Sequence, residues 1–432
     1  MIPANVVSQY HRYLSWLAAA VYRHPSEQAV IIGVTGTNGK TSTSYFIAKA
    51  LEAMGDQTGC TTTALFKIGK EEWLNDKKMT MLGRFQLQKM LHRMVDAGCK
   101  YIVIETSSQG IVQFRHAQVN YDICVFTNLT PEHIEAHGGF EKYKQAKIAL
   151  FQHMSRSKEK TLFGKTWKKT AVLNQLDPHA IDFAVPGLEV LWYGIGKDKG
   201  LQATDVKDEG WATSFTVNGL RGSIHMPGQV NVENAMAAIA VADKCQLPMG
   251  DVLKKIATIA GLPGRFERID EGQDFTVIVD YAPEPASVTK LYEAIQAMPH
   301  ARIIHVFGSC GGGRDIARRP ILGSIAATKA DEIFITNEDP YDDNPRVIME
   351  QVADGARKQG IAADQLHLID DRKQAIQQAI QAARTSDVVL LTGKGCEQAI
   401  MGPAGSKQAW DERQVAREAL RARLLYSKHV SS

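Results

Sequence analysis

The hydrophobic positions of the chain form short β-branched runs that alternate with stretches of helical spacing, from Ala29 to near the C-terminal end. Runs of four or five such residues between polar or glycine-containing segments are typical of buried strands. Strands that alternate with helices indicate parallel α/β sheets. The predicted strands are Val30–Val34, Tyr101–Glu105, Ile123–Thr127, Val277–Asp280, Ile303–Phe307, Glu332–Thr336 and Val388–Thr392.

The segments between the strands show where helices and domains begin and end. Apolar residues recur every three or four positions from Phe46 to Met54, and Gly55 follows as a natural helix end. The stretch from Trp192 to Met226 has short alternating segments, which predict a small β excursion. The segment at 261–264 contains two glycines and a proline after a helical run. We therefore predict an N-terminal helix in 1–28, a central domain in 29–262 and a C-terminal domain in 263–432.

Composition narrows the class of protein. A length of 432 residues suggests two or three domains, and 44% hydrophobic with 22% charged residues is typical of globular chains. The net charge is only +3 and no basic arm is present, which argues against nucleic-acid binding. The six cysteines are scattered without a CxxC pair, as expected for a reducing, cytoplasmic location.

The segment from Val6 to Tyr22 is apolar and aromatic but is interrupted by Gln9, His11 and Arg12. It is shorter than the roughly 20 residues of a membrane span, and it does not resemble a signal peptide. Two interpretations stay open: a helix packed on the next domain, or a contact with a membrane surface or a protein partner.

The first strand runs into a glycine-rich loop, Thr35-Gly36-Thr37-Asn38-Gly39-Lys40-Thr41, and a helix follows. Strand, loop, Lys-Thr and helix together predict a phosphate site, because glycines let backbone N–H groups converge on phosphate oxygens. Lys40 would reach the β- and γ-phosphates, and the Thr41 hydroxyl would hold Mg²⁺. Val34 stands where the usual pattern has its first glycine. The loop alone fits a kinase, a GTPase or a ligase.

Further motifs follow in the order found in the Mur ligase family, which the chain resembles from about residue 29 to 420. The T-G-T-N-G-K-T form of the loop is the family's own. The closest subgroup is the MurE type, which adds the third residue of the muramyl peptide. The other matching segments are Glu105–Gly110 with Arg115, Thr127–Gly138, Tyr143–Lys147, Pro227–Ala235, Pro263–Arg268, Val279–Ala282, Gly313–Pro320, Thr392–Glu397 and Trp410–Glu418.

The resemblance implies a central P-loop α/β domain, a Rossmann-like C-terminal domain, and ATP with Mg²⁺. It also implies that a carboxylate is activated as an acyl phosphate and then attacked by an amine. Thr41 and Glu105 would hold the first Mg²⁺, and His133 the second. Lys147 matches the lysine that the family carbamylates, whose new carboxylate-like group helps to hold the second Mg²⁺. The alternative for Lys147 is an ordinary surface lysine on a helix over 140–151.

Several residues match positions that bind ATP. The loop residues Gly36, Thr37, Asn38 and Gly39 would surround its phosphates. Asn231 and Asn234 lie three apart on one helix and would face adenine, with helix capping as the alternative. Asp280 resembles the ribose-binding aspartate. Arg265 resembles an arginine that reaches ATP from the C-terminal domain, so domain closure would assemble the site.

Other residues match substrate positions. Ser108 and Arg115 correspond to residues that handle the carboxylate donor, while Thr80 matches more loosely. Glu338, Asp339, Tyr341, Gly395 and Glu397 fall in the segments that hold the acceptor. Arg314 to Arg319 form a cationic cluster suited to phosphate or carboxylate, with a solvated charged face as the alternative.

Departures from the family pattern bear on the substrates. Pro283, Gln109 and Cys396 replace common histidines, and Glu132 replaces a common aspartate. Enzymes specific for meso-diaminopimelate carry D-N-P-R in the acceptor loop, where this register gives Glu338-Asp339-Pro340-Tyr341. The missing guanidinium argues against diaminopimelate. The acidic run of Glu338, Asp339, Asp342 and Asp343 favours a cationic acceptor such as lysine.

The segment before the P-loop is about thirty residues long, too short for the family's domain that binds the UDP-sugar. We therefore expect the donor to be held by a protein partner, to be bound only through its peptide, or to be different altogether. The leading hypothesis is a ligase that adds an amino acid to a muramyl peptide. The alternatives are another amide ligase such as a polyglutamate-forming enzyme, a P-loop phosphotransferase, and a non-catalytic scaffold. The intact Lys40, Glu105, His133 and Lys147 argue against the scaffold.

Overall fold

A computed structural model describes residues 4–131, 137–196, 199–313 and 316–430. The chain divides into two compact units, residues 1–260 and 261–432. The helices of the first unit are α1 (Ala4–Val21), α2 (Lys40–Ala50), α3 (Arg84–Asp96), α4 (Ser108–Val112), α5 (Phe140–Ser155), α6 (Gln229–Lys244) and α7 (Met249–Ala257). Its strands are β1 (Val30–Thr35), β2 (Thr58–Thr61), β3 (Leu65–Ile68), β4 (Glu71–Leu74), β5 (Tyr101–Glu105), β6 (Ile123–Phe126), β7 (Lys160–Leu162), β8 (Lys165–Trp167), β9 (Thr170–Asn174), β10 (Glu189–Ile195), β11 (Leu201–Asp208), β12 (Thr213–Val217) and β13 (Leu220–Ile224).

The main sheet of the first unit has the strand order β13-β12-β11-β10-β9-β6-β1-β5-β2-β3-β4. The strands from β2 to β11 in this order run parallel, and antiparallel hairpins extend both edges. Central β1 pairs with β5 on one side and β6 on the other, with Val34 opposite Glu105 and Thr35 opposite Phe126. This register places the loops that follow these three strands at the same edge of the sheet, where ligands bind in open α/β folds.

Buried side chains fix the helix that follows the P-loop. All six residues of β1 are buried, as expected for a central parallel strand covered on both faces. Helix α2 is buried over nearly its whole length, including its serines and threonines, and it packs closely on α6. The start of α2 is therefore held firmly at the carboxyl edge of the sheet.

The second unit contains helices α8 (Pro285–Gln296), α9 (Arg318–Lys329), α10 (Pro345–Lys358), α11 (Arg372–Ala382) and α12 (Glu412–Val430). Its strands are β14 (Glu267–Ile269), β15 (Thr276–Asp280), β16 (Ile303–Phe307), β17 (Glu332–Thr336), β18 (Leu366–Ile369), β19 (Val388–Thr392), β20 (Ala399–Met401) and β21 (Lys407–Ala409). The main sheet has the order β14-β15-β19-β16-β17-β18, in which β15 to β18 are parallel and β14 is an antiparallel edge. Helices connect the parallel strands, as in a Rossmann-like fold.

The predicted α/β fold class is confirmed, and all seven predicted strands are present within one residue of their predicted ends. The predicted β excursion is also present as β10 to β13. The predicted helix end at Gly55 is wrong, because α2 ends at Ala50 and Met54 is exposed in a turn. The apolar spacing therefore continues past the hydrogen-bonded helix.

Helix α1 packs on the first unit. Its residues Ser15, Ala18 and Ala19 are buried, whereas Tyr13 and Trp16 remain exposed and stack on each other. The structure thus shows α1 packed through one face, chiefly on α3. No helix in the described ranges is long and apolar enough to cross a membrane.

Candidate active site

The glycines of the P-loop stand where any side chain would collide. Gly39 has a left-handed φ of 78°, and a Cβ there would lie 2.4 Å from Oδ1 of Asn234. A Cβ at Gly36 would lie 1.9 Å from Oγ1 of Thr127. Both positions therefore require glycine, which lets the backbone turn sharply and keeps its N–H groups accessible.

The segment after β6 forms hydrogen bonds with the P-loop. The Thr37 N–H donates to the Asn128 carbonyl at 2.8 Å, and the Asn38 N–H donates to Oδ1 of Asn128 at 2.9 Å. In return, Oγ1 of Thr127 donates to the Asn38 carbonyl at 2.8 Å. Thr127 and Asn128 belong to the recognised T-N-L segment, but the sequence analysis assigned them no role. The structure shows that they hold the loop in shape.

Lys40 begins α2 at the end of the loop. Its Nζ donates to the Thr37 carbonyl at 2.6 Å, so the ammonium lies over the loop itself. The next residue, Thr41, directs its hydroxyl at both carboxylate oxygens of Glu105, at 3.1 and 3.0 Å. The helix N-terminus adds its partial positive charge at the same point.

Glu105 ends β5 as a buried carboxylate with several donors. Besides Thr41, the Thr63 N–H donates to Oε2 at 2.6 Å and the Thr63 hydroxyl to Oε1 at 3.0 Å. The Thr63 hydroxyl also lies 3.0 Å from Oγ1 of Thr80, which links the loosely matched Thr80 to this carboxylate. Sequence reasoning missed Thr63. Its only signal was its place in the Thr61-Thr62-Thr63 run just after β2.

Lys147 projects from α5 into the same region. Its side chain is buried, and Nζ donates to the Gly36 carbonyl at 2.6 Å and lies 4.4 Å from the centre of the Tyr143 ring. The Tyr143 hydroxyl in turn lies 3.2 Å from Oγ1 of Thr37. Burial and these contacts rule out an ordinary surface lysine. Tyr143 was part of the matched motif, and its position explains why a tyrosine stands there.

The two predicted donor-handling residues lie on or after α4. The Ser108 hydroxyl is 3.1 Å from Nε2 of His137, a residue that the sequence did not single out. Arg115 bonds Oε1 of Gln113 through Nε and Nη2, and its Nη1 donates to the Met81 carbonyl. Burial, and then the nearby Arg84 guanidinium, lower the pKa of Arg115.

The two asparagines of α6 have different environments. Oδ1 of Asn234 accepts from the Thr43 hydroxyl at 3.0 Å beside Gly39, which places this amide against the P-loop. Nδ2 of Asn231 donates to the Pro227 carbonyl at 2.8 Å, a bond that stabilises the turn into α6. Asn231 thus has a local structural role.

In the second unit, Asp280 ends β15 and organises the segment before β14. Its Oδ2 accepts from the Phe266 N–H at 2.6 Å and its Oδ1 from the Ala282 N–H at 2.9 Å. Burial raises the pKa of Asp280, and the nearby Arg265 guanidinium opposes that shift. Arg265 lies over the Tyr281 ring at 4.5 Å, so both predicted ATP residues of this unit lie close together.

The acidic run of the acceptor loop is largely compensated within its own unit. Nζ of Lys394 bonds Oδ1 of Asp339 at 2.9 Å and Glu397 at 2.6 Å, and Oδ1 of Asp339 also accepts from the Met401 N–H. Burial raises the pKa of Glu338, which the Arg318 guanidinium opposes. Asp339 and Glu397 are therefore paired with Lys394, and Oε1 of Glu338 accepts from the Cys310 thiol at 3.1 Å.

The rest of that run behaves similarly. Oδ1 of Asp342 accepts from the Ala404 N–H, and Oδ2 of Asp343 lies 3.4 Å from Arg319. Our interpretation of the run as an acidic surface for a cationic acceptor is therefore corrected. Lys394, Arg318 and Arg319 are remote in sequence, and they neutralise charges that the sequence alone left uncompensated.

Two positions shape the backbone of the acceptor region. Tyr341 has a left-handed φ of 52°, and its N–H donates to the Met401 carbonyl. Gly395, at φ 51°, has no room for a Cβ, which would lie 2.8 Å from the Gly264 carbonyl oxygen. A literal Asp-Asn-Pro-Arg string also occurs at 343–346, but its Asn344 caps α10. That string therefore serves a helix start.

The described arginines of the predicted cationic cluster, Arg318 and Arg319, form neither a free anion site nor a solvated face. Arg318 pairs with the buried Glu284, and Arg319 is buried with bonds to Gln351 and the Cys310 carbonyl. The remaining predicted positions, Glu132, His133, Arg314 and Asp315, lie outside the described residues.

The residues at the P-loop fit a magnesium ion. In the described ranges no group of three or more His, Cys, Asp or Glu side chains could hold a metal alone. Mg²⁺, however, is usually held by one or two protein oxygens together with substrate phosphates and water. Glu105 and the Thr41 hydroxyl, touching at the mouth of a phosphate loop, are such a pair.

Comparison with known proteins places this site in a family. The model of the Mur ligase middle domain matches residues 34–242, and that of the Mur ligase, glutamate ligase domain matches residues 264–395. The chain is 38% identical over 429 residues to a UDP-N-acetylmuramyl-tripeptide synthetase of Roseiflexus sp. (strain RS-1), covering 97% of this chain and 84% of the relative. It is 36% identical to the UDP-N-acetylmuramoyl-L-alanyl-D-glutamate--2,6-diaminopimelate ligase of Bacillus licheniformis, with the same two coverages.

Solved structures of similar fold include members of the same family. A structure of a UDP-N-acetylmuramoyl-L-alanyl-D-glutamate--2,6-diaminopimelate ligase is 28% identical, with a TM-score of 0.61 over 92% of this chain and 79% of that one. Folylpolyglutamate synthase of Mycobacterium tuberculosis, at 16% identity and a TM-score of 0.69, shares the fold over 88% of this chain and 92% of its own. The protein with this P-loop, buried Glu105 and buried Lys147 belongs to the Mur ligase family of ATP-dependent ligases.

Proposed function

We propose that this protein is an ATP-dependent amide ligase that adds an amino acid to a muramyl-peptide donor through an acyl phosphate. The observation that carries the proposal is the convergence of four groups at one sheet edge. They are the P-loop backbone, the Lys40 ammonium, the Thr41–Glu105 pair and the buried Lys147. The donor class is suggested by the Roseiflexus and Bacillus licheniformis relatives, which are both named as muramyl-peptide ligases.

The proposed reaction consists of a phosphoryl transfer to the donor carboxylate, followed by transfer of the acyl group to the amine. A donor carboxylate oxygen attacks the γ-phosphorus of ATP, and ADP leaves. The amine of the acceptor then attacks the acyl carbon, phosphate leaves, and the amine loses a proton. Lys40 would stabilise the charge that develops on the transferring phosphoryl group, and the P-loop N–H groups would hold the phosphates still. Bound Mg²⁺ would neutralise phosphate charge beside Glu105 and Thr41.

We assign Lys147 a carbamate as part of this proposal. A lysine amine reacts with carbon dioxide to give a carbamate and a proton, and the Lys147 amine is buried beside the P-loop. A carbamylated Nζ keeps one N–H, so it would still donate to the Gly36 carbonyl. The new carboxylate would add an anionic oxygen ligand within the phosphate site.

The donor would approach over α4, where Ser108 and Arg115 lie. Arg115 carries a half-buried guanidinium, which binds carboxylate or phosphate in a fork. We place the acceptor at the loop from Glu338 to Tyr341 with Gly395 and Glu397.

The experiment for the function is ATP turnover with purified protein across acids and amines. We expect phosphate release and amide product only when a muramyl dipeptide and an amino acid are both present. Product would be identified by mass spectrometry. Glutamate added to a pterin-linked glutamate would indicate a polyglutamate-forming enzyme. A phosphorylated product formed without amine would indicate a phosphotransferase, and no turnover with any pair would favour a scaffold.

The choice of acceptor follows from Tyr341. A diaminopimelate acceptor brings a distal carboxylate, and no guanidinium stands at this position to receive it. Leaving such a charge without a partner costs about 1–3 kcal/mol, or roughly 5- to 150-fold in selectivity. The compensated carboxylates of the loop add little attraction for an ammonium. The selectivity therefore rests on the missing arginine.

We predict that lysine or ornithine is used in preference to meso-diaminopimelate. The Tyr341→Arg variant should shift the ratio of kcat/KM values toward diaminopimelate, measured by amide product with each amine. Arg346→Ala is the matched control, because Arg346 lies in the literal string and pairs on the surface with Glu350 and Asp370. If the wild type prefers diaminopimelate and Arg346→Ala loses that preference, the assigned register of the loop is wrong.

A further inference from the structure

Three guanidinium groups converge on the turn that follows α4. Arg84, the first residue of α3, donates through Nη2 to the Gln113 carbonyl, and Arg115 bonds the side chain of the same Gln113. Arg12 of α1 lies over the ring of the next residue, Phe114, at 4.6 Å. These three arginines come from separate parts of the chain and meet at Gln113 and Phe114. We call them the arginine cluster.

The arginine cluster concentrates positive charge at the turn after α4. In the described part of the chain, no Asp or Glu carboxylate lies within ion-pair distance of Arg12, Arg84 or Arg115. Burial and then the charges of Arg84 and Arg115 lower the pKa of His11, whose side chain lies beside them. The described residues thus bring together cations that repel one another, with no anionic partner among them.

Two buried nitrogen atoms in the cluster also lack partners among the described residues. Nε of Arg84 and Nδ1 of His11 are buried atoms without a hydrogen bond within the described residues. An unpartnered buried donor costs roughly 1–3 kcal/mol and is uncommon in folded proteins. Arg84 and Arg115 are half-buried, so their remaining N–H groups are accessible to a ligand.

The arginine cluster lies next to the catalytic edge. Nη1 of Arg115 bonds the carbonyl of Met81, and the neighbouring Thr80 is linked through Thr63 to Glu105. Ser108, the first residue of α4, lies on the same path from β5 to the turn. A ligand that spans these contacts would reach from the phosphate site to the cluster.

We propose that Arg84 joins Arg115 and Arg12 in an anion-binding subsite that receives an acidic group of the donor, either a phosphate or a carboxylate. This deepens the proposed function and rests on it. Guanidinium groups bind both anions in the same bidentate manner, so the shared chemistry is an oxyanion held by a fork of N–H donors. Arg84 and Arg12 are not accounted for by the family motifs.

Helix α1 holds the subsite in place. The Ser15 hydroxyl donates to the Phe114 carbonyl at 2.7 Å, and Phe114 itself has a left-handed φ of 55°. Such a conformation is strained for a non-glycine residue and persists only where neighbouring contacts enforce it. The contacts of Ser15 and Arg12 therefore fix the turn that presents Arg115.

The kinetic test compares Arg84→Met with Lys89→Met, a control at an exposed lysine of the same helix. Arg84→Met should raise the KM for the muramyl donor about 10-fold or more, with the KM for ATP unchanged. Arg84→Lys should recover part of the loss, because it restores the charge without the fork. If Arg84→Met raises the KM only for the UDP-linked donor, the bound anion is a phosphate. If it raises the KM for the UDP-free dipeptide by the same factor, the bound anion is a carboxylate.

A direct binding measurement separates this proposal from the proposed function. Inorganic pyrophosphate and citrate, titrated into the full-length protein with the P-loop blocked by a non-hydrolysable ATP analogue, should bind the wild type and Lys89→Met. Binding to Arg84→Met should be about 10-fold weaker. Equal binding to all variants, or an unchanged donor KM in a folded Arg84→Met, would overturn the subsite. Normal anion binding in a protein that joins no muramyl donor would instead overturn the proposed function.

Discussion

The Lys40→Ala variant is expected to lose ATP-dependent phosphate release by at least about 10²–10³-fold, because it removes the only side-chain cation that we place on the transferring phosphoryl group. Release would be measured with donor and acceptor at saturation. The loss should appear in kcat, since the developing charge is largest in the transition state.

The geometry around Lys40 explains why its ammonium is available for this role. Nζ donates to the neutral carbonyl of Thr37, and in the described ranges no carboxylate pairs with it. Exchanging a loop carbonyl for a phosphate oxygen requires no ion pair to break. The glycine at 39 starts α2 so that this side chain and the helix N-terminus face the same point.

Lys49→Ala is the matched control for Lys40→Ala. Lys49 lies on the same helix, but its ammonium pairs with Glu52 and Glu72 away from the loop. It should retain turnover, with both variants melting within a few degrees of the wild type. Near-normal phosphate release by a folded Lys40→Ala would remove the P-loop from the mechanism.

The sequence predicts the fold of this protein well because its central strands are buried on both faces. Such strands appear as short, largely apolar runs rich in β-branched residues, as in Val30–Thr35 and Val388–Thr392, and they need no partner to be recognised. Strands with less apolar sequences were not predicted, even inside the sheet. Strand β2, Thr58–Thr61, has little apolar character, and its place is set by pairing with β5. Its identity depends on a neighbour that is distant in sequence.

The residues of the site were likewise predictable where they lie in a local motif, and were missed where distant segments bring them together. The P-loop, Glu105 and Lys147 were recognisable because each lies in a local motif. Thr63 was missed because only the parallel pairing of β2 with β5 brings it to Glu105. The acidic acceptor loop was misinterpreted because Lys394, 55 residues from Asp339, supplies the opposite charge. Pairings across such separations are decided by tertiary packing.

Lys147 has the second large expected effect. Its Nζ is held by the Gly36 carbonyl and lies over the Tyr143 ring, so its side chain is fixed rather than mobile. The buried side chain of Lys147 therefore places its terminal group, whether ammonium or carbamate, at a defined position beside the P-loop. An ammonium there would attract the phosphates of ATP, whereas a carbamate would attract Mg²⁺. The two possibilities differ in the sign of the charge, which an experiment can detect.

We predict that the kcat of Lys147→Ala for phosphate release is reduced by about 10²–10³-fold. Short carboxylic acids should restore part of this rate, because a free carboxylate can occupy the space of the lost carbamate. Short amines should not restore it, since the ammonium is not the working group. Lys144→Ala is the control, because Lys144 is on the same helix but pairs with Glu141 and Asp182 at the surface. Removal of carbon dioxide should slow the wild type, and labelled carbon dioxide should give a carbamate signal by NMR that Lys147→Ala lacks. An active Lys147→Ala together with an unmodified lysine in a high-resolution map would exclude the carbamate, and rescue by amines would assign Lys147 to the phosphates.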